Sequence, residues 1–586
     1  MMHTAHLERS ESTKWLSRLT VADGLFLLIV AAAAIMRLVN LGQIPLSPAE
    51  AESALAVWQL WQPQPLTAAI GSPTYFTLTA LLTQLLGFSD AVMRLVPALF
   101  GLGIVWLPWL LRARLGTTGA LVASLLLSVS PLLAVTARSA GGDSMALFAL
   151  LLLVIAMLRY QETANRRWLY PFFAALGLGL ASAPLFYSGL ATLVIAWLIH
   201  SAIGLRLFAD GFTRPERDDV RRAALFGGVL LVAISTIFLW DPAGLGAAAR
   251  LFADWLARFS FQGDLATLLD PFLAAGRYEL ILLMLGIPAL IWAIWRNQPL
   301  ATFSLYWLVA ILALMLLQRG HLANVVLLIL PGYLVIGVYA NALLVERRDV
   351  MSWALAGGLL LLGFLMLVNF ARYNRIATFS PQELTSVWIM VFAFAFAAVT
   401  IYFVATWNLT AGYQGVLLSL LALFVFYNWG TAWWLGHVAA NDPRERWVSV
   451  ATADDVRLLA GTLGDVSRQT LNANAGLDIF SAVDSPVLRW YLRDFARLQV
   501  GDALPAGAQN AVVITPFQSE NVALGSDYLG SDFGLIRNGV RPPATGSQTP
   551  LLETFRWWLF HETAAEINVE RVIVWLRADL AHQEAR

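Results

Sequence analysis

Val21-Ala-Asp-Gly-Leu-Phe-Leu-Leu-Ile-Val-Ala-Ala-Ala-Ala-Ile-Met-Arg37-Leu-Val-Asn-Leu-Gly-Gln-Ile-Pro-Leu-Ser-Pro-Ala-Glu50 is the stretch from which the rest of the chain can be read. Residues 21–41 form an almost unbroken apolar run, and roughly 20 such residues carry a helix across the hydrocarbon core of a bilayer. The run ends in one arginine, Arg37, and then meets Pro45 and Pro48, ahead of two acids, Glu50 and Glu52. A charged group at membrane depth is costly and is functional by default. The stretch therefore reads as a spanning helix followed by a loop that carries chemistry. No small-residue cleavage site follows it and its apolar part is too long for a signal peptide, so the helix is expected to stay.

The composition extends this reading to the whole chain. Of 586 residues, 59% are hydrophobic and only 13% charged. A soluble protein averages roughly 45–50% apolar and about 25% charged, so a soluble enzyme, a disordered chain and a fibre are excluded. The formal net charge is zero, which leaves no basic footprint for nucleic acid. There is no cysteine, hence no disulfide and no thiolate site. Charge is also unevenly placed: residues 441–586 hold 31 of the 76 acidic and basic residues. Three parts follow: an N-terminal segment 1–20, a membrane domain 21–440 and a water-soluble domain 441–586.

About thirteen spans are expected, at 21–41, 91–111, 118–136, 143–158, 169–183, 185–203, 223–240, 278–295, 299–317, 323–345, 351–370, 385–406 and 413–434. The run Tyr75–Phe88 is too short to cross and reads as an interfacial or re-entrant helix. Arg9, Lys14 and Arg18 precede the first span, and Arg112, Arg114, Arg159, Arg166, Arg167, Arg347 and Arg348 fall in alternate loops. By the positive-inside rule the N-terminus is cytoplasmic and 441–586 is extracytoplasmic, in a multi-pass protein of the cell membrane. Phe252–Phe261, in a long outer loop, sets Trp255 and Phe259 against Asp254 and Arg258 and reads as a helix lying in the membrane plane.

The soluble part alternates strand-like runs, Trp447–Val450, Leu477–Val483, Ala511–Thr515 and Val572–Leu576, with a helix-like run, Asp454–Arg468, that Thr452 or Asp454 could cap. Residues 499–510 and 539–550 read as loops. A small α/β domain is the expected result. Neither GxGxxG nor a P-loop is present, so nothing supports a nucleotide site.

Residues able to do chemistry cluster on the outer side. Arginine presents a planar fork matched to phosphate oxygens, and Arg37, Arg94, Arg138 and Arg319 lie at outer span ends. Together they suit an anionic lipid headgroup. Glu50 and Glu52 diverge by about 200° on a helix, so only one can face a cavity, as a general base or a metal ligand. The plainer alternative is a pair of carboxylates favoured by a helix N-terminus. Arg138-Ser-Ala-Gly-Gly-Asp143 is either a tight turn capped by Asp143 or a ligand-approachable loop, its glycines admitting a ligand to the backbone. His321, beside Arg319, reads as interfacial. The histidines show no zinc spacing.

Arg37-Leu-Val-Asn-Leu-Gly, Pro45-Leu-Ser-Pro-Ala-Glu-Ala-Glu, Ser72-Pro-Thr-Tyr-Phe, Arg94-Leu-Val-Pro-Ala-Leu-Phe-Gly and Leu127-Ser-Val-Ser-Pro-Leu-Leu-Ala-Val-Thr-Ala-Arg138 follow one another in an order that resembles the GT-C membrane glycosyltransferases, of the protein O-mannosyltransferase and aminoarabinose transferase type. The closer resemblance is to the flippase activity-associated proteins of prokaryotic surface glycosylation, and Asp484-Ser-Pro-Val-Leu-Arg-Trp-Tyr-Leu-Arg-Asp494 and Phe555-Arg-Trp-Trp-Leu-Phe560 extend it into the tail. The resemblance implies a GT-C-like helical domain and a polyprenyl-phosphate-linked sugar as donor. It also implies a glycan or protein acceptor, a first-loop carboxylate (Glu50 or Glu52) as base, and Arg37, Arg94, Arg138, Asp143 and Arg319 as substrate-binding residues. It leaves a divalent cation open.

The chain departs from the family pattern at three positions. Ala49 stands where the first loop usually has Asp. Gly141 replaces the second Arg of Arg-x-x-Arg-x-Asp. Ser182-Ala-Pro184 replaces Thr-Lys-Glu. Two functions follow: a glycosyltransferase acting at the outer face, or a non-catalytic GT-C scaffold that binds lipid-linked glycan and assists its export. A transporter fits poorly, because no inverted repeat or paired broken helices are evident.

Overall fold

A computed structural model describes residues 20–581 except 64–67, 204–212, 243, 260–264, 346–349, 376–380, 503, 505–506, 518–523 and 540–566. The N-terminal segment 1–19 and Phe555–Phe560 lie outside the described residues. The chain is a polytopic helical membrane domain followed by a small sheet domain. The helices, in order, are α1 (Val21–Leu38), α2 (Pro48–Gln59), α3 (Pro73–Leu86), α4 (Asp90–Trp106), α5 (Arg112–Val129), α6 (Pro131–Ala137), α7 (Asp143–Thr163), α8 (Leu169–Leu180), α9 (Pro184–Ala202), α10 (Arg217–Ser235), α11 (Gly244–Ala257), α12 (Leu265–Tyr278), α13 (Leu280–Arg296), α14 (Pro299–Leu317), α15 (Val325–Leu344), α16 (Val350–Arg375), α17 (Pro381–Trp407) and α18 (Leu409–Trp433).

Among the described residues nine helical stretches are long and apolar enough to cross a membrane, or ten if the pair Leu268–Tyr278 and Leu280–Arg296, bent by 90°, is one span. Each of the thirteen expected spans overlaps a helix, but the divisions differ. Asp90–Val129 is one 40-residue helical stretch that contains two of them. α8 has 12 residues, about 18 Å at 1.5 Å per residue. α10 opens with Arg217, Asp218, Asp219, Arg221 and Arg222, too polar a turn for hydrocarbon. The short helix Tyr75–Phe88 of the sequence reading is α3, and it lies with α2 under the C-terminal domain. Gly116, inside α5, has φ 73°, and an added Cβ would lie 2.1 Å from Asn341 Oδ1, so the kink there needs glycine.

The C-terminal domain holds a six-stranded sheet in the order β1-β5-β6-β4-β2-β3. Its strands are β1 (Val450–Thr452), β2 (Asp478–Ser481), β3 (Arg497–Val500), β4 (Val512–Pro516), β5 (Tyr528–Gly539) and β6 (Ile567–Arg577), with helices α19 (Asp455–Leu471), α20 (Pro486–Tyr491) and α21 (Ala578–Ala581). β2 runs parallel to β3 and β4, and the other pairs are antiparallel. The sequence reading placed the first strand three residues early, and β3 and β5 were not anticipated. β3 alternates but has only four residues and runs into the segment 499–510 read as a loop, and β5, half-exposed and rich in glycine, carries little apolar alternation. Thr452 does not cap α19; its hydroxyl donates to Leu46 O. Val456, Leu459, Leu463, Ile479, Trp490 and Val512 pack into one apolar core with Leu46, Ala51, Tyr75, Phe76 and Met93 of α2–α4 and the preceding loop. The two domains therefore share a core at this end of the bundle.

Candidate functional site

The loop between α1 and α2 and the loop between α6 and α7 meet below the C-terminal domain. Between them lies a cavity of about 590 Å³, lined by Asn40, Ser47, Glu50, Arg94, Arg138 and Gly141 on one side and by Gly436 and Trp447–Val450 on the other.

Local sequence explains the wall that carries Glu50. Ser47-Pro-Ala-Glu50 starts α2 with a capping box: Glu50 N donates to Ser47 Oγ (3.4 Å) and Ser47 N to Glu50 Oε2 (2.9 Å). Pro48 fills the first turn, where no N–H is required. The same carboxylate faces Arg94, one turn into α4. Arg94 Nε donates to Glu50 Oε1 (2.8 Å) and Nη2 to Oε2 (2.7 Å), while Ala140 N donates to Oε1 (2.8 Å). Four donors thus hold a carboxylate that is 8% exposed. Burial pushes this carboxyl up, but the charge of Arg94 and the hydrogen bonds from Arg94, Ser47 and Ala140 outweigh it, and Glu50 lies below the usual glutamate range. Glu52 is exposed, on the other face of α2.

The arginines act mainly on backbone. Arg94 also donates to Leu41 O, Ile44 O and Pro45 O. Arg138, which ends α6, donates to Met36 O, Arg37 O, Val39 O, Asn40 O and Gly436 O. Burial, and then the charge of Arg94, pushes Arg138 down to about 10, so it is still cationic at neutral pH. Arg37 is fully buried away from the cavity, where it donates to Ala33 O, Leu127 O and Ser128 O and ties α1 to the end of α5. The far end of α6 is fixed by Glu279, at the 90° bend between α12 and α13, which accepts from Ser130 Oγ, Leu132 N and Tyr333 Oη.

A second cluster begins two residues beyond Gly141. Asp143 opens α7 half-buried, within reach of the charge of Arg258, which follows α11. Asp254 and His321 also lie within the reach of Arg258's charge. Among the described residues neither the Asp143 carboxylate nor the Arg258 guanidinium makes a hydrogen bond or a close ion pair. Burial, then the charge of Arg258, pushes the His321 imidazole down. Arg319 is half-buried two residues from His321. Behind this cluster Trp255 Nε1 donates to Ser188 Oγ (3.1 Å), Ser188 Oγ to Gln318 Oε1 (3.1 Å) and Asn324 Nδ2 to Gln318 Oε1 (2.9 Å), which fixes α11 to α9 and to the turn after α14.

The structure thus gathers Glu50, Arg94 and Arg138 around one cavity, and sets Asp143 in a neighbouring cluster within reach of Arg258, while Arg319 lies two residues before His321. Arg37 lies behind both, and Glu52 points away. Sequence reasoning placed Arg258 on the polar side of an interfacial helix without giving it a site, and it gave no role to Trp447–Val450. Among the described residues no three His, Asp or Glu side chains gather to hold a metal ion.

This architecture is that of a polytopic membrane protein with the GT-C glycosyltransferase fold. It is similar to ArnT from Cupriavidus metallidurans bound to undecaprenyl phosphate, at 16% identity and TM-score 0.56, over 95% of this chain and 99% of that one. The apo form of ArnT aligns at 16% identity and TM-score 0.53, over 96% and 99%. Residues 70–213 match the family model of dolichyl-phosphate-mannose-protein mannosyltransferase. No curated protein matches the chain in sequence. The narrower resemblance to flippase activity-associated proteins finds no counterpart in these likenesses.

Proposed function

We propose that the chain transfers a sugar from a polyprenyl-phosphate carrier to a glycan or protein acceptor at the outer face of the membrane, with the C-terminal domain on that face. The observation that carries this reading is the Asp143–Arg258 pair: two opposed, half-buried charges within reach of one another, two residues beyond the cavity-lining Gly141, with no side-chain hydrogen bond to occupy either. ArnT, whose fold this chain shares, has been solved with undecaprenyl phosphate bound.

In this reading Arg258 holds the carrier phosphate, since the guanidinium groups of Arg94 and Arg138 are occupied by backbone carbonyls. Asp143 takes the proton from the acceptor hydroxyl. The hydroxyl oxygen attacks the anomeric carbon, the bond from that carbon to the phosphate oxygen breaks, and its electron pair leaves on polyprenyl phosphate, where Arg258 stabilises the charge. Glu50 shapes the cavity wall rather than moving a proton.

A second reading rests on Glu50 itself. The only first-loop carboxylate facing the cavity is saturated with donors, as a binding scaffold without chemistry would have it. Such a protein would bind lipid-linked glycan and assist its export. Release of carrier phosphate by the purified protein in lipid nanodiscs tests both, with Asp143→Asn and Glu50→Gln alongside. Transfer predicts release by wild type, and a fall of about 10²–10⁴ in Asp143→Asn, the range for losing a general base. Tight carrier binding with no release across sugars and acceptors would instead select the scaffold.

A further inference from the structure

The tail segment Asp484–Asp494 takes no part in either cluster described above. In the structure its end reaches the membrane domain. Trp490 Nε1 donates to Asp90 Oδ1 (2.9 Å) and Tyr491 Oη to Asp90 Oδ2 (2.7 Å), and Arg457 of α19 pairs with the same carboxylate. Asp90 is the first residue of α4, and Arg94 follows four residues later on the same face.

Two of these residues, Arg457 and Tyr491, together with Thr452, also hold the loop that precedes Glu50. Arg457 donates to Gly42 O (2.8 Å) and Gln43 O (2.6 Å). Leu46 N donates to Tyr491 Oη (2.9 Å), and Thr452 Oγ1 donates to Leu46 O (2.6 Å). Arg94 takes the carbonyls of Leu41, Ile44 and Pro45. Every carbonyl from Leu41 to Leu46 therefore has a side-chain donor, and half of these donors come from the C-terminal domain. The six carbonyls follow no helix or strand pattern, so these donors, with the buried Leu46 side chain, hold the loop in this shape.

We propose that Asp90 is a positioning residue and that the C-terminal domain is a structural half of the membrane-domain site: through Asp90, Tyr491 and Arg457 it fixes Leu41–Leu46 and, with it, the cavity wall that carries Glu50 and Arg94. The loop shape rests on geometry alone. Its effect on turnover rests on the transfer reading above.

Hydrogen exchange of the full chain in lipid nanodiscs, without donor, tests the first part. The Leu46 amide is the direct reporter, because its acceptor is the Tyr491 hydroxyl. Asp90→Asn and Tyr491→Phe are each expected to raise its exchange at least tenfold against the amides of α7. The double variant should add little to the larger single effect, because both remove one shared contact. Unchanged Leu46 exchange in the double variant would overturn the proposal, and so would an equal rise through α7, which would mean general loosening. Should Asp90→Asn fail to fold, Tyr491→Phe, which removes one hydroxyl, carries the test. Carrier release is the second arm: kcat is expected to fall in Tyr491→Phe with KM for the carrier lipid unchanged, and a matching rise in KM would overturn the positioning role. No release by wild type would defeat the transfer reading and leave the exchange result to decide the loop.

Discussion

Glu50 and Asp143 are both acids in the first turn of a helix, and their surroundings divide their work. Glu50 forms a buried bidentate pair with Arg94. Removing one partner of such a pair costs about 3–5 kcal/mol, because the other is left charged without compensation. Arg94→Ala leaves an ionised buried Glu50 and frees three loop carbonyls, so it should destabilise more than Glu50→Gln, which leaves Arg94 its carbonyl partners. Thermal unfolding in detergent ranks the two. The pair also sets a pH dependence. Because the folded pKa of Glu50 lies below the ordinary glutamate value of about 4.3, its stabilisation is complete above that value and is lost as pH falls through the folded pKa. Glu50→Gln should flatten the decline of melting temperature below about pH 4.3; an unchanged acid slope would place the sensitivity elsewhere. Asp143 and Arg258, by contrast, make no side-chain hydrogen bond that the removal of either would strand, only a longer-range attraction between half-buried charges. Arg258→Ala should weaken carrier-lipid binding by about 1.5–3 kcal/mol, the range for hydrogen bonds to charged groups, with little change in melting temperature. Equal affinity in titration calorimetry would remove phosphate binding from Arg258.

At the scale of elements, the short helix α6 sets the geometry. Ser130 caps its start and shares Glu279 with Leu132 N, and Arg138 closes its end against the last carbonyls of α1. One turn of backbone, Ser139–Gly142, then separates it from α7. A Cβ at Gly142 would lie 2.0 Å from Ser182 O and 2.5 Å from Ser72 Oγ, so this turn is pressed against the chain between α8 and α9. Overpacking at a close approach costs about 1–3 kcal/mol. Gly142→Ala should therefore destabilise the protein and displace Asp143, lowering turnover further than the loss of stability explains. Turnover measured well below the melting temperature separates the two, and full activity there would show that the turn yields without moving α7.

At the scale of the molecule, the linker into the C-terminal domain is fastened beside the bend of α12 and α13. Arg277 Nη2 lies 3.6 Å from Glu445 Oε1, Tyr278 Oη donates to Glu445 Oε2 (2.7 Å), and Arg446 pairs with Asp270. Arg277 has no solvent exposure. Glu445→Ala leaves that guanidinium buried with its carboxylate gone, a change of about 3–5 kcal/mol, and should lower the melting temperature of the whole chain as one transition, because the domains share an apolar core. Two separated transitions would show that the sheet domain unfolds independently.

The apolar runs of the chain determine that it lives in a bilayer, because runs of that length and polarity have no other stable solvent. Ser47-Pro-Ala-Glu50 determines the start of α2, since a capping box is local chemistry between residues three apart. The order of loop features made the GT-C resemblance legible, and the ArnT-like fold agrees with it. The partners of the charged groups were not legible. Arg94, Arg138 and Arg457 take carbonyls from residues that are 49 to 415 positions away in sequence, and a backbone carbonyl carries no side-chain signature. Arg94 and Arg138, two of the arginines that the sequence reading assigned to phosphate, donate to loop carbonyls in the structure. That Asp143 lies within reach of the charge of Arg258 was likewise decided only by tertiary structure, through the packing of α7 against α9 and the Trp255–Ser188–Gln318 links, because the two residues lie far apart along the chain.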